Sequence, residues 1–155
     1  MNKLGVIMKI GADCDIAQEM KKAKDIGCEC CQLNVWDTSM YTDACAKKIL
    51  AASKKYELEI STVWAGWSGP KEWNFTAGPE TLGIVPEAYR MKRTEEILMG
   101  VEFAAKLGCT RVATHAGFLP ENMNDPQYCG VLAALRHIVK YCRKLGVNFL
   151  FETGQ

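Results

Sequence analysis

The strongest constraint on this fold is an alternation along the whole chain. Short apolar segments rich in β-forming residues alternate with longer segments in which apolar residues recur at helical spacing. The predicted strands are residues 4–10, 28–36, 58–64, 109–118 and 147–153. The predicted helices are residues 15–26, 42–56, 87–107 and 126–145. Strands that are apolar at nearly every position and separated by helices are typical of parallel sheets buried on both faces. The pattern therefore predicts an α/β fold built on one parallel sheet.

Glycines mark several boundaries between these segments. Three of the predicted helices end in a glycine that leads directly into the next strand, at Gly27, Gly108 and Gly146. Glycine readily adopts the left-handed conformation that ends a helix and turns the chain, because it has no Cβ atom. At the start of the second predicted helix, Thr42 is a predicted N-cap.

Two architectures share this alternation, an open doubly wound sheet and a closed barrel of eight strands. Residues 11–14, which follow the first strand, contain neither the GxGxxG nor the GxxxxGK[ST] pattern of nucleotide-binding open sheets. The parallel (β/α)8 TIM barrel is therefore favoured. Such a barrel needs about 250 residues, so this chain would supply about five strands and four helices. We predict that residues 1–155 are the N-terminal portion of a single TIM-barrel domain, either truncated or completed by another chain, for example in a homo-oligomer.

The charge balance argues against nucleic acid and anionic membranes as partners. The sequence has 19 Lys and Arg against 18 Asp and Glu, so no strong field attracts a polyanion. The apolar stretch at the N-terminus is too short for a signal peptide, and no run approaches the roughly 18 apolar residues of a membrane span. We expect a cytoplasmic location and a small-molecule partner.

The eight cysteines are predicted to be reduced thiols, since a chain of this length and apolar content needs no disulfides to hold its core. Cys28, Cys30 and Cys31 form a CxCC cluster, but a structural zinc site usually adds a second pair farther along the chain. We interpret the cluster as small side chains on alternate faces of a strand.

Glu152 is the most informative polar residue, because reactive groups of βα barrels lie at the C-terminal ends of strands. It follows Phe149, Leu150 and Phe151 at the end of the fifth predicted strand, where an unpaired carboxylate is costly to bury. A divalent metal ion would remove that cost. Carboxylate oxygens suit Mg²⁺ or Mn²⁺, and a carboxylate with an imidazole admits Mn²⁺, Co²⁺ or Zn²⁺. The alternatives are a pair with a lysine or arginine, and a carboxylate that faces water.

His115 ends the fourth predicted strand, which neighbours the fifth in a barrel. An imidazole beside a carboxylate suits metal ligation, general acid/base catalysis or a hydrogen bond to substrate. A purely structural hydrogen bond is the alternative. We keep Glu152 and His115 as candidate catalytic residues and as candidate metal ligands.

A connection rich in aromatic residues, glycine and proline follows the third predicted strand over residues 65–86. It is far longer than the usual two to six or so residues of such a loop. Aromatic loops at a catalytic face commonly wall a pocket or close over it, and tryptophan faces suit the CH surfaces of sugars. The alternative is a hydrophobic plug at the top of the barrel. The predicted substrate-binding residues, which lie at or just after strand ends, are Trp36, Trp64, Trp67 and Gln155.

A series of short motifs resembles the sugar phosphate isomerase/epimerase family of xylose-isomerase-like barrels, which also include ketose 3-epimerases and a DNA-repair AP endonuclease. In chain order the motifs are WSGP at 67–70, WNF at 73–75, GP at 78–79, TLG at 81–83, VP at 85–86, YR at 89–90, ATHAGF at 113–118 and FLFETGQ at 149–155. The resemblance covers almost the entire chain. It implies an eight-stranded barrel with a divalent cation at its mouth.

The resemblance also implies an activity, the isomerisation or epimerisation of a sugar, sugar phosphate or related polyol by proton transfer next to a carbonyl. In that family the glutamate of the fifth strand is the first metal ligand and also exchanges the proton, and it corresponds to Glu152. The other ligands, an Asp, a His and a second Glu from strands six to eight, fall beyond Gln155. His115 matches a position that binds metal in the endonuclease branch and lies near substrate in others.

Two rival functions stay open at this point. An AP-endonuclease-like phosphodiester hydrolase needs several metals and a basic surface that faces DNA, which the near-zero net charge and the tryptophan-rich third loop disfavour. A non-catalytic sugar-binding barrel would have the same fold without proton transfer. For the 155 residues alone we expect no activity, since the remaining ligands and the second carboxylate are missing from them.

Overall fold

Five parallel strands form a single sheet in the computed structural model, which describes residues 3–152. The strands are β1 (Gly5–Ile10), β2 (Cys30–Val35), β3 (Glu59–Ala65), β4 (Arg111–His115) and β5 (Asn148–Glu152). Each strand pairs with the one before it in the sequence, so the sheet order is β1-β2-β3-β4-β5. A doubly wound sheet reverses its strand order at a switch point, and the described part of the chain has no such reversal. The predicted parallel α/β fold is confirmed, and its strand order is that of a barrel.

Helices connect the strands, and the four predicted long helices are all present. The helices are α1 (Ile16–Asp25), α2 (Asp43–Tyr56), α3 (Gly78–Thr81), α4 (Glu87–Lys106) and α5 (Tyr128–Lys144). The one-turn helix α3 was not predicted; it lies inside the long connection between β3 and α4. Within residues 3–152, no helix is long and apolar enough to cross a membrane.

The predicted boundary residues have the expected conformations. Gly27, Gly108 and Gly146 have φ angles of 87°, 67° and 68°, which are left-handed, and the Thr42 side chain accepts the backbone N–H of Cys45 at 3.1 Å. The fourth strand ends at His115, three residues earlier than predicted, because Gly117 turns the chain with a φ of 96°.

The two faces of the sheet have different environments. On one face Leu33, Val63 and Val112 are fully buried in a core that they share with the helices. On the other face Ile7 and Leu150 are 61% and 46% exposed. The expectation that both faces are buried is therefore wrong for residues 3–152, because five strands do not close around the inner face.

The cysteines follow the same division into faces. Cys30 and Cys31 begin β2 and lie on opposite faces, half-buried and buried respectively, as predicted, whereas Cys28 is buried before the strand begins. Burial raises the pKa of the Cys31 thiol to about 12. This thiol is therefore protonated and unreactive at neutral pH.

Candidate active site

The register of the last two strands places His115 beside Glu152. These two residues are direct partners across β4 and β5, so they lie on the same face of the sheet, about 4.8 Å apart along the hydrogen-bonding direction. That face is the inner one, because Leu150, two residues before Glu152, is among its exposed side chains. The two strand-end residues that the sequence analysis singled out are thus brought together.

A bulge in β3 brings Trp64 to the same face. Cys31 pairs with Ile60 but the next residue, Gln32, pairs with Thr62, so Ser61 is an extra residue on β3. The Ser61 hydroxyl donates to the Cys31 carbonyl at 2.9 Å. A shift of one residue moves every later side chain to the opposite face of a strand. The bulge therefore turns Trp64 away from the helices and towards the inner face, where it pairs with Asn34.

The Glu152 carboxylate has a neutral partner. The indole Nε1–H of Trp64 donates to Glu152 Oε2 at 3.1 Å. Among residues 3–152, no lysine or arginine forms an ion pair with Glu152. Of the alternatives left by the sequence, the pair with a basic residue therefore does not occur within the described residues.

A cavity of about 540 Å³ lies over the inner face at this point. Its polar and aromatic lining consists of Gln32, Asn34, Trp36, Trp64, Trp73, Phe151 and Glu152. The volume falls within the range of about 300–1,000 Å³ that is typical of small-molecule sites. Amide groups and indole faces beside one carboxylate suit the hydroxyls and CH surfaces of a polyol.

A larger cavity, of about 630 Å³, lies between α1 and α2. It is lined mainly by small apolar side chains, with Cys14, Cys45 and two lysines at its surface. Its lining does not include Glu152, which lines the smaller cavity, and His115 lines neither of the two. Because barrel chemistry is found at the C-terminal ends of strands, we place the candidate active site in the smaller cavity.

The tryptophans form one cluster centred on Trp36. Its ring centroid lies 4.4 Å from that of Trp64, 5.4 Å from that of Trp67 and 6.2 Å from that of Trp73. Trp36 and Trp64 line the cavity, although only 5% of Trp64 is exposed; substrate contact by either residue stays a prediction. Trp67 is fully buried, does not line the cavity and packs against Trp36; its contact with substrate stays a prediction that this position does not favour. Trp73, which was not among the predicted substrate-binding residues, lines the cavity.

Arg93 on α4 fixes the connection between β3 and α4. Its fully buried guanidinium donates to four backbone carbonyls at 2.7–3.0 Å, those of Ser68, Pro70, Thr81 and Gly83. It also stacks on Trp67 at 4.1 Å from the ring centroid. Burial lowers the pKa of Arg93 to about 10, so the group is still charged at neutral pH. No sequence pattern predicts this role, because Arg93 lies in a polar part of a helix.

Both ends of the connection are therefore anchored, whereas its tip is open. The backbone N–H of Ser68 donates to Glu96 at 2.8 Å, and Leu82 is fully buried. At the tip, Trp73 and Phe75 are 46% and 76% exposed. Any closure over the cavity is thus restricted to the tip.

We predict that the tip closes on a bound sugar and withdraws Trp73 from solvent. Acrylamide quenching of tryptophan fluorescence should then fall when a ketohexose such as D-fructose is added. The fall should vanish in Trp73→Phe and persist in Trp67→Phe, because Trp67 is already buried. Calorimetry should first verify that the sugar binds. If quenching is then unchanged in the presence of that sugar, the connection is a plug and not a lid.

His115 is buried, and its Nδ1 atom accepts a hydrogen bond from the backbone. The backbone N–H of Gly117 donates to His115 Nδ1 at 3.2 Å, and the ring of Trp73 packs edge-on at 5.0 Å. A nitrogen that accepts a hydrogen bond carries a lone pair, so the neutral imidazole has its proton on Nε2. To ligate a metal through Nε2, the ring would have to move that proton to Nδ1 and lose the bond to Gly117.

The described residues supply only part of a metal site. In residues 3–152 there is no cluster of three or more His, Cys, Asp and Glu side chains that suits a metal ion. Glu152 fits as one carboxylate ligand, but Mg²⁺ or Mn²⁺ prefers about six oxygen ligands. The predicted substrate-binding residue Gln155 lies outside the described residues.

The sequence matches the family described as xylose isomerase-like TIM barrel over residues 20–154. This chain therefore belongs to the xylose isomerase-like TIM barrel family. No functionally curated protein matches the sequence.

Solved structures share the fold at low sequence identity. The xylose isomerase domain protein from Planctomyces limnophilus has a TM-score of 0.87 and 23% identity over 99% of this chain and 53% of its own. D-psicose 3-epimerase from Clostridium cellulolyticum H10, solved with D-tagatose, has a TM-score of 0.65 and 15% identity over 96% of this chain and 51% of its own. A xylose isomerase-like TIM barrel protein from Mycobacterium smegmatis in complex with magnesium has a TM-score of 0.68 and 13% identity over 99% of this chain and 55% of its own. The chain spans about half the length of these structures.

Proposed function

We propose that this chain contributes the first five strands of a metal-dependent isomerase or epimerase that acts on a sugar or related polyol. The observation that carries the proposal is the Glu152 carboxylate, which lies in register with His115 at the wall of a tryptophan-lined cavity. The D-psicose 3-epimerase of the same fold supports the substrate class. A cytoplasmic location and a small-molecule partner belong to the same proposal.

Glu152 is proposed as the acid/base group and as one metal ligand. Its carboxylate removes a proton from the carbon next to the substrate carbonyl. Isomerisation follows when the proton is returned to the neighbouring carbon, whereas epimerisation needs a second acid/base group that protonates the first carbon from its opposite face. A divalent cation, when bound, stabilises the negative charge that develops on the carbonyl oxygen. Within residues 3–152 no lysine or arginine pairs with Glu152, so no ammonium or guanidinium group competes with a cation for its oxygens.

His115 is proposed as a hydrogen-bond donor rather than a metal ligand. The bond from Gly117 to Nδ1 favours the tautomer with the proton on Nε2, which donates to an oxygen. This argues against the metal ligation known in the endonuclease branch. Edge-on packing against Trp73 orients the ring.

The aromatic lining favours a sugar over a phosphodiester. Trp36 and Trp73 present ring surfaces to the cavity, and the amides of Gln32 and Asn34 offer donors and acceptors for hydroxyls. Among the described residues that line it, none is a lysine or arginine, although phosphodiester recognition depends on such groups. A non-catalytic sugar-binding barrel would have the same lining, so activity has to separate the two.

The test is solvent deuterium incorporation into ketoses with Mn²⁺, using the chain together with the strands that complete its barrel. Glu152→Gln should lower the exchange rate by about 10²–10⁴-fold, the usual contribution of general acid–base catalysis. Glutamine is isosteric and still accepts a hydrogen bond from Trp64, so the fold should be unaffected. The control is Glu121→Gln, an exposed carboxylate after β4. Sugar binding without any exchange would identify the barrel as a binding protein.

A further inference from the structure

We propose that Trp64 is a positioning residue whose indole N–H fixes the Glu152 carboxylate through Oε2 and leaves Oε1 for the cavity. The proposal rests on the proposed function of Glu152, but the contact can be tested separately. Trp64 was predicted as a substrate-binding residue, and its burial argues for a different role. Only 5% of the residue is exposed, so it offers little surface to a sugar.

The contact restrains a side chain that is otherwise free to move. Glu152 is exposed at the end of β5, an edge strand of the described sheet. Within residues 3–152, Trp64 is the donor that reaches its carboxylate. A glutamate has several rotamers of similar energy, and holding one of them costs conformational entropy. A single directional hydrogen bond from a buried ring offsets that cost.

Trp64 can hold Glu152 because its own ring is held. The ring packs against Trp36 with centroids 4.4 Å apart. Trp36 in turn packs against the fully buried Trp67 at 5.4 Å, and the guanidinium of Arg93 lies over Trp67 at 4.1 Å. A continuous series of contacts thus runs from α4 to the carboxylate at the end of β5.

An indole suits this task better than a basic side chain. It donates one hydrogen bond and carries no charge. A lysine or arginine at this place would neutralise Glu152 and would compete with a cation for the same oxygens. The indole therefore fixes the direction of the carboxylate without adding a positive charge that would repel a cation.

The experiment uses ¹H–¹⁵N spectra of the chain, which contain one indole N–H signal for each of its four tryptophans. Trp64→Phe identifies the Trp64 signal. In Glu152→Leu this signal should move upfield, because the bond to the carboxylate is lost, while the Trp67 signal stays in place. Mn²⁺ is then titrated, and its paramagnetic broadening of the Phe151 amide is followed. Trp64→Phe should require about tenfold more Mn²⁺ for half-broadening, as is usual when a partner of a metal ligand is removed.

The matched control is Tyr141→Phe, which removes a different donor to a carboxylate, that of Glu102, without contact to the cavity. It should leave the Mn²⁺ titration unchanged. A Trp64 signal that stays in place in Glu152→Leu would overturn the positioning role, and so would an unchanged titration in Trp64→Phe. If the wild-type chain shows no broadening near Glu152 although the indole signal moves, the metal-ligand role of Glu152 fails and the positioning contact stands.

Discussion

Arg93→Met is expected to destabilise the chain by about 3 kcal/mol and to loosen the connection between β3 and α4. The substitution leaves four backbone carbonyls without their donor, and each unsatisfied buried group costs about 1–3 kcal/mol. The total is smaller than their sum, because part of the connection can move and expose carbonyls to water. The free energy of unfolding in urea measures the first effect. Increased acrylamide quenching of Trp67, which loses its stacked guanidinium, measures the second.

Two further variants separate the anchoring role from a general effect of removing a charge. Lys92→Met, at the preceding position of α4, removes an exposed ammonium group that lies 4.0 Å from Glu96, and it should change stability by no more than about 0.5 kcal/mol. Arg93→Lys keeps the charge but lacks the planar guanidinium group that reaches carbonyls on several sides. Its free energy of unfolding should therefore fall by most of the amount expected for Arg93→Met. Equal stability of Arg93→Met and Lys92→Met would show that the guanidinium does not anchor the connection.

The repeating parts of the fold could be predicted because their signals are local. Apolar spacing identified five strands and four long helices, and glycine at 27, 108 and 146 marked three helix ends. The helix α3 escaped prediction because four residues are too few to show a period. The strand β4 was predicted too long, since residues 116–118 are apolar or small and only the conformation of Gly117 ends the strand.

The arrangement of the candidate site depends on contacts that no local pattern contains. His115 and Glu152 were predicted together because both end a strand. Whether Trp64 faces the cavity depends on the extra residue at Ser61, and its bond to Glu152 joins positions 88 residues apart. The burial of Trp67 depends in turn on Arg93, which the helical pattern alone would place in solvent. Register and long-range packing therefore decided which tryptophans reach the cavity.

The 155-residue chain alone is expected to show no measurable proton exchange into ketoses and only weak binding of Mn²⁺. Glu152 supplies one carboxylate, and the described residues contain no cluster that completes a metal site, so water must occupy most of the coordination positions. A second acid/base group is also missing among these residues. The inner face is open, with Ile7 61% exposed, and water in the site weakens the electrostatic stabilisation of an enediolate.

The measurement is deuterium incorporation from D₂O into a panel of ketoses with Mn²⁺, first for the chain alone and then after co-expression with a C-terminal half-barrel. We expect that a dimer of the chain does not replace that half, because pairing two β5 strands adds a second Glu152 rather than the Asp, His and Glu that the family resemblance implies for strands six to eight. Exchange that requires both halves, and that Glu152→Gln abolishes, would support the incomplete site and the role of Glu152 together. Exchange by the isolated chain that Glu152→Gln abolishes would contradict the incompleteness but preserve the catalytic assignment. Exchange that is unaffected by Glu152→Gln would remove Glu152 from the mechanism, since an amide cannot accept the substrate proton as a carboxylate does.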